Sequence, residues 1–417
     1  MGKQSENPEA HCAERASSRQ PATPAARPRN GYALPPLAGE ADMTDSAAAI
    51  APVRTIAAAF EQGRDNFAWI RLIAAAAVIY GHSYALAATG LHDPIARMGW
   101  GPGVYSGSLA VDVFFVISGF LVTASYTRRR QWTAFVLSRL LRVVPGLAVC
   151  VTATALVLGG LLTTLPSGEY YGHSEVWQYL WGNLHFQADA LRWTLPGVFA
   201  DNPLPNVING SLWTLPAEMQ MYLAVAVLGL LGALRSGRLA TAIILLALCA
   251  GVAQPQWPKA ILHSDYLPLA GLFAIGALCW LNAHRIPLDG RWLVALIFGC
   301  YLLNGTPHAG ALMALTTAYA TLWLAYGPTL SSKWLPGDYS YGLYLWGYPV
   351  QQCVVRLMDE PEPVRLFVYS LVATLPLAML SWHLIEKPAL SLKPRRRPRQ
   401  ATPQASAIPA PTAQGTE

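Results

Sequence analysis

From residue 68 to residue 386 the chain repeats one pattern: an apolar run of membrane-crossing length, then a short polar segment often carrying arginine. A helical crossing needs about 20 predominantly apolar residues, and within lipid only helices or closed barrels satisfy their own backbone. Runs at roughly 68–88, 107–127, 143–163, 213–233, 239–254, 266–283, 291–304, 309–326, 340–357 and 366–386 therefore predict about ten transmembrane helices. With 53% hydrophobic and 12% charged residues, a soluble enzyme of this size is excluded. The expected fold class is an all-α polytopic membrane protein.

An even number of spans puts both termini on one side. With that side cytoplasmic, sixteen Lys and Arg fall in inner segments and five in outer ones, as the positive-inside rule requires. The net charge of +6 is gathered in these segments and at the C-terminus. It reports topology and contact with anionic membrane lipid, not nucleic acid.

Residues 1–63 are rich in Ala, Pro, Ser and Arg and lack an apolar run long enough for a signal peptide. They are expected to form a disordered cytoplasmic tail, with Met43 an alternative start. Residues 391–417 read as a basic disordered C-terminal tail, which leaves 64–390 as the transmembrane domain. Residues 164–212 form the one long outer loop, with Tyr170, Tyr171, His173, Trp177 and Trp193. The six cysteines include no CxxC pair and no His-Cys cluster, so neither a disulfide framework nor a metal site is indicated.

Two ionisable residues interrupt the first span, Arg71 and His82, eleven positions apart. At about 100° per residue that is three turns plus about 20°, so both lie on one face, about 16 Å apart. Such groups are costly in lipid and normally face a bundle interior or a cavity. Taken singly, Arg71 also fits snorkelling to headgroups, and His82 fits packing against a carbonyl. Asp112 lies about one turn into the second span and Glu218 one to two turns into the fourth, both from the outer face. With His82 they are expected at one depth, which suits a general base flanked by carboxylates. Pro216 breaks the regular hydrogen bonding beside Glu218. On the inner side Arg139 and Arg142 are three apart, a fork suited to phosphate oxygens or a plain topology signal. Arg71 stands at the same inner level.

The ordered set of motifs resembles the membrane acyltransferase-3 family of bacterial transmembrane acyltransferases. It comprises Asn66-Phe67 to Arg71 with Gly81-His82-Ser83, the run Val111 to Phe120 around Asp112, and Arg139-x-x-Arg142-x-x-Pro145. Ser211 to Glu218 followed by Tyr222, Ser340 to Pro349, and Ile385-Glu386-Lys387-Pro388 complete it, covering about residues 63 to 390. The resemblance implies a multi-pass enzyme of the bacterial inner membrane that transfers an acyl group, most often acetyl, from cytoplasmic acyl-CoA. The acceptor would be a hydroxyl on an extracytoplasmic or lipid-linked saccharide, or, in some members, a secondary metabolite such as a macrolide. Arg71 and His82 are then the matched essential pair, Arg139 and Arg142 the CoA-phosphate contacts, and Glu218 and Asp112 the matched acidic positions. Ser211, Trp213, Tyr222 and Tyr344 are expected to contact substrate, and no metal is implied. Gly347 stands where relatives often have a histidine, which removes a second catalytic histidine. No hydrolase-like domain follows the last span, as in the stand-alone form. The competing reading is a transporter or flippase of lipid-linked substrate; the internal repeat common among transporters is not evident.

In the mechanism this implies, the pantetheine arm of CoA extends from the arginines toward His82. His82, kept neutral by desolvation or oriented by Asp112 or Glu218, takes the acceptor's proton, or is itself acylated.

Overall fold

The computed structural model of the chain describes residues 54–101, 103–254, 256–259, 262–328, 330 and 335–393. The expectations for Met43, for the tail before residue 54 and for the basic tail beyond residue 393 lie outside them.

Among the described residues the fold is all helical. A short α1 (Ile56–Glu61) leads to α2 (Phe67–Ala87), α3 (Ser106–Arg129), α4 (Trp132–Leu162), α5 (Ser174–Leu184) and α6 (Thr214–Leu230). There follow α7 (Gly237–Ala253), α8 (Leu267–Leu281), α9 (Gly290–Leu303), α10 (Ala309–Ala325), α11 (Ser340–Arg356) and α12 (Pro363–Ser391). Among the described residues, five helices are long and apolar enough to cross a membrane: α2, α3, α4, α12 and α8 with its preceding turn. Shorter apolar helices, α7, α9 and α10, accompany them. Each expected span falls on one of these helices, and the chain is a multi-pass membrane protein.

Three stretches differ from expectation. Residues 54–63, assigned to a disordered tail, are folded: Ile56 and Ala59 are fully buried, and Ile56 N–H donates to the Ile286 carbonyl at 3.1 Å. The Ile56-Ala-Ala-Ala-Phe60 run is too short to span a bilayer but offers an apolar face to dock, and Thr55 caps it through the Ala58 N–H at 3.3 Å. Helix α4 starts at Trp132, eleven residues before the expected 143, so Arg139 and Arg142 lie within a continuous helix. The 164–212 segment is not an open loop. It carries α5, buries Val176, Tyr179, Leu195, Val198 and Phe199 against α4, and tethers Tyr170 through its hydroxyl to the Ala155 carbonyl at 2.6 Å.

Close helix contacts position the site. A Cβ on Gly119 of α3 would collide with the Phe273 carbonyl oxygen of α8, and one on Gly276 with that of Val116, so the two backbones touch reciprocally. Small residues permit this approach where lipid supplies no hydrophobic drive between helices. Helix α11 meets α12 at Gly342, where an added Cβ would lie 2.7 Å from Ala378 Cα, and meets α2 at Gly347, where it would lie 2.8 Å from Ile79 Cγ1. Ile79 thus fills the space that a side chain at 347 would need.

Candidate active site

A cavity of about 300 Å³ opens between α2, α3, α4, α6, α11 and α12. Arg71, Arg139, Arg142, Asp338 and Lys393 line its basic part; Ser118, Glu218, Tyr222 and Tyr341 line its middle; Phe114, Thr214 and Tyr344 line its far part. The arginines of the first and third spans therefore converge, as their levels in the sequence predict.

What draws them together is a carboxylate. Asp338 Oδ2 accepts from Arg71 Nη2 at 3.0 Å and from Arg142 Nη2 at 2.8 Å. Its other oxygen accepts from the Ser340 hydroxyl at 2.6 Å. Burial alone would raise the Asp338 carboxyl; Arg142, Arg71 and Ser340 outweigh it and hold it down to about 2. Arg142 Nη1 also lies 3.5 Å from Glu386 Oε2. Glu386 is 1% exposed and reaches this position from a π-type turn, Trp382–Glu386. Pro388 cannot donate to the carbonyl four residues back, and the wider turn upstream absorbs that loss. It also brings Ser381, five residues earlier, within 2.9 Å of Glu386 Oε1. Arg139 is held differently: its guanidinium lies over Tyr222 at 5.7 Å and Phe135 at 5.8 Å.

Glu218 accepts from the Tyr222 hydroxyl and from Ser118 Oγ at 3.4 Å. Ser118 is six residues, about 9 Å, farther along α3 than Asp112. Glu218 therefore belongs to the basic cavity and is not level with Asp112. The cause lies ahead of α6, where residues Gly210–Trp213 form a 3-10 turn buried within the bundle, with Ser211 and Leu212 at most 2% exposed. Asn209 makes that irregular backbone tolerable: its Oδ1 accepts from Ser211 N–H at 3.1 Å, and its Nδ2 donates to the Leu345 carbonyl at 2.9 Å. Helix α6 thus begins deep in the protein, and Glu218 is carried inward.

Val111, Phe114, Thr214 and Tyr344 also line the cavity. The Thr214 and Tyr344 hydroxyls are 2.5 Å apart, and the Phe114 and Tyr344 rings meet edge to face at 5.9 Å. His82 lies outside it, with its ring against Tyr348 at a centroid distance of 5.1 Å. Tyr348 follows Tyr344 by one turn of α11. The continuous cleft expected from Arg71 to His82 is not formed by this cavity, which Arg71 and Tyr344 line and His82 does not. The Nδ1 of His82 is buried without a hydrogen-bond partner, so neither Asp112 nor Glu218 orients it. Asp112 is half-buried and outside the cavity. Of the expected substrate contacts, Tyr222 and Tyr344 line the cavity. Ser211 and Trp213 do not; Trp213 stacks on Tyr266 at 6.4 Å, and Thr214 takes the lining position.

Sequence reasoning gave no role to Asp338, Glu386, Ser118, Thr214, Tyr341 or Lys393. Two had a signal available: Asp338 immediately precedes the Tyr339-Ser340-Tyr341 start of α11, and Glu386 lies in the Ile385-Glu386-Lys387-Pro388 motif.

The profile of an acyltransferase domain, acyltransferase-3, matches residues 64–383. An O-acetyl transferase of Shigella phage Sf6 is 29% identical over 332 residues, covering 76% of this chain and 93% of that protein. Nodulation protein 10 of Rhizobium leguminosarum bv. viciae is 28% identical over 359 residues, covering 79% of this chain and 94% of that protein. No solved structure matches the chain.

Proposed function

This chain belongs to the acyltransferase-3 family, and on that premise we propose that it is an O-acetyltransferase of the bacterial inner membrane, with cytoplasmic acetyl-CoA as donor and an extracytoplasmic or lipid-linked saccharide hydroxyl as acceptor. The observation that carries the reading is the cavity itself: cations at one end, a tyrosine-lined neck, and an imidazole one helical turn beyond it. The similarity to a phage O-acetyl transferase over nearly its whole length supports acetyl as the group moved.

The donor's phosphates occupy the basic end, which faces the cytoplasm by the positive-inside distribution. Its arm follows Ser118 and Tyr341 to the neck, and Tyr344 turns aside to admit the thioester. His82 accepts the proton of the acceptor hydroxyl through Nε2 as that oxygen attacks the thioester carbonyl. The carbon–sulfur bond breaks, and the departing thiolate takes the proton from the imidazolium. Glu218, tied to Tyr222 beneath Arg139, serves the donor side.

Membranes holding the protein, incubated with acetyl-labelled acetyl-CoA, are expected to carry label into a saccharide fraction, and His82→Ala membranes are not. Uptake of label without covalent attachment would instead establish a transporter. Label retained on the denatured wild-type chain would establish acylation of His82 in place of direct transfer.

A further inference from the structure

The four cations of the cavity are not equivalent. Arg71 and Arg142 face two carboxylates, Asp338 and Glu386, within 3.5 Å. Asp338 bridges both arginines and Glu386 approaches Arg142 alone, a carboxylate-engaged bracket joining α2, α4, the start of α11 and the end of α12. A bracket of that kind has little attraction left for a further anion. Arg139 and Lys393 are different: among the described residues, neither has a carboxylate within ion-pair distance, and both line the cavity. Glu218, the remaining carboxylate of the lining, is engaged by Tyr222 and Ser118.

We propose that Arg139 and Lys393, rather than the Arg71–Arg142 pair, form the clamp that holds a phosphate-bearing ligand in this cavity. The two approach from different elements: Arg139 from within α4, with its guanidinium 5.7 Å from the Tyr222 ring centre, and Lys393 from just beyond α12. A planar fork and a point charge are a matched pair of phosphate donors. Burial pushes the Lys393 amine down to about 8, and Arg139, Arg142 and Arg129 add to it. Positive potential is therefore in excess there, and an anion relieves it. Naming the ligand as the pyrophosphate and 3′-phosphate end of acetyl-CoA rests on the donor reading above; the clamp itself requires only a phosphate group.

The test uses the full chain purified in neutral detergent and titrated calorimetrically with acetyl-CoA and, separately, inorganic pyrophosphate. Lys393→Gln and Arg139→Gln should each weaken both probes about tenfold, the loss of one charge-assisted hydrogen bond, with unchanged melting temperature. Lys393→Arg should restore affinity. Measurable acetyl-CoA binding of equal affinity in the parent and in Lys393→Gln overturns the clamp, as does a parent that binds neither acetyl-CoA nor pyrophosphate. Pyrophosphate binding that depends on Lys393, without acetyl-CoA binding, upholds the clamp and removes the donor reading. Displacement of acetyl-CoA by phosphatidylglycerol but not by pyrophosphate upholds a phosphate clamp, assigns it to a lipid headgroup and removes the donor reading.

Discussion

Replacing Asp338 by asparagine keeps the shape of the side chain and removes the charge between two guanidinium groups. In the folded chain one carboxylate oxygen accepts from Arg142 at 2.8 Å and Arg71 at 3.0 Å, and the Asp338 side chain is 18% exposed. Its carboxyl is held from 3.8 down to about 2, which corresponds to about 2 kcal/mol of folding stability at neutral pH. The substitution also leaves Arg142 with Glu386 alone and Arg71 with no carboxylate within ion-pair distance among the described residues. The total comes to about 3 kcal/mol, the low end for breaking a buried ion pair. At average unfolding entropies, a folded unit of this length then loses about 4 °C in melting temperature. Tryptophan fluorescence during thermal unfolding of the purified protein in mild detergent measures it. The pH dependence gives an independent sign. For a depressed acid, the contribution is present above the unfolded value of 3.8 and is lost as pH falls toward about 2. The variant and its parent should therefore differ fully near neutrality and converge in acid. A variant that melts with its parent at neutral pH would refute the bracket as a source of stability.

Three further outcomes follow from the geometry. His82→Gln should lower acetyl transfer by about 100-fold or more at unchanged expression and detergent elution; near-parental transfer would place the chemistry elsewhere. Tyr344→Ala removes the neck, so thiol release from acetyl-CoA without acceptor should rise, read by a thiol-reactive dye; release at the parental rate would mean that Tyr344 does not separate the compartments. Gly119→Ala inserts a methyl group against the Phe273 carbonyl and should cost about 1–3 kcal/mol, seen as lowered melting temperature. An Ala variant as stable as the parent would contradict direct backbone contact between α3 and α8.

The helices were legible because apolar run length is a local property, and each predicted run coincides with a helix. Convergence of Arg71 with Arg142 was legible for the same reason, since inner-end position follows from where a run starts. Asp338 was not: its partners are 267 and 196 residues away, and nothing local distinguishes a bridging aspartate from a helix-start aspartate. Glu218 was misplaced because the run starting near residue 213 was measured from the membrane surface. In the fold that run begins at a buried turn held by Asn209, and only tertiary packing reveals the offset. Similarly, the apolar α1 lies below the length at which hydropathy signals a crossing, and its docking depends on the distant Ala283 and Ile286.

A passage open to water at both ends would discharge the ion gradients across any membrane that contained it. Phe114, Tyr344 and its threonine partner pack together on α11's path between the basic lining and His82, where such a passage would run. On the donor reading proposed above, rotation of the Tyr344 ring would admit the thioester and then close behind it, so that acyl transfer need not cost the cell its proton-motive force.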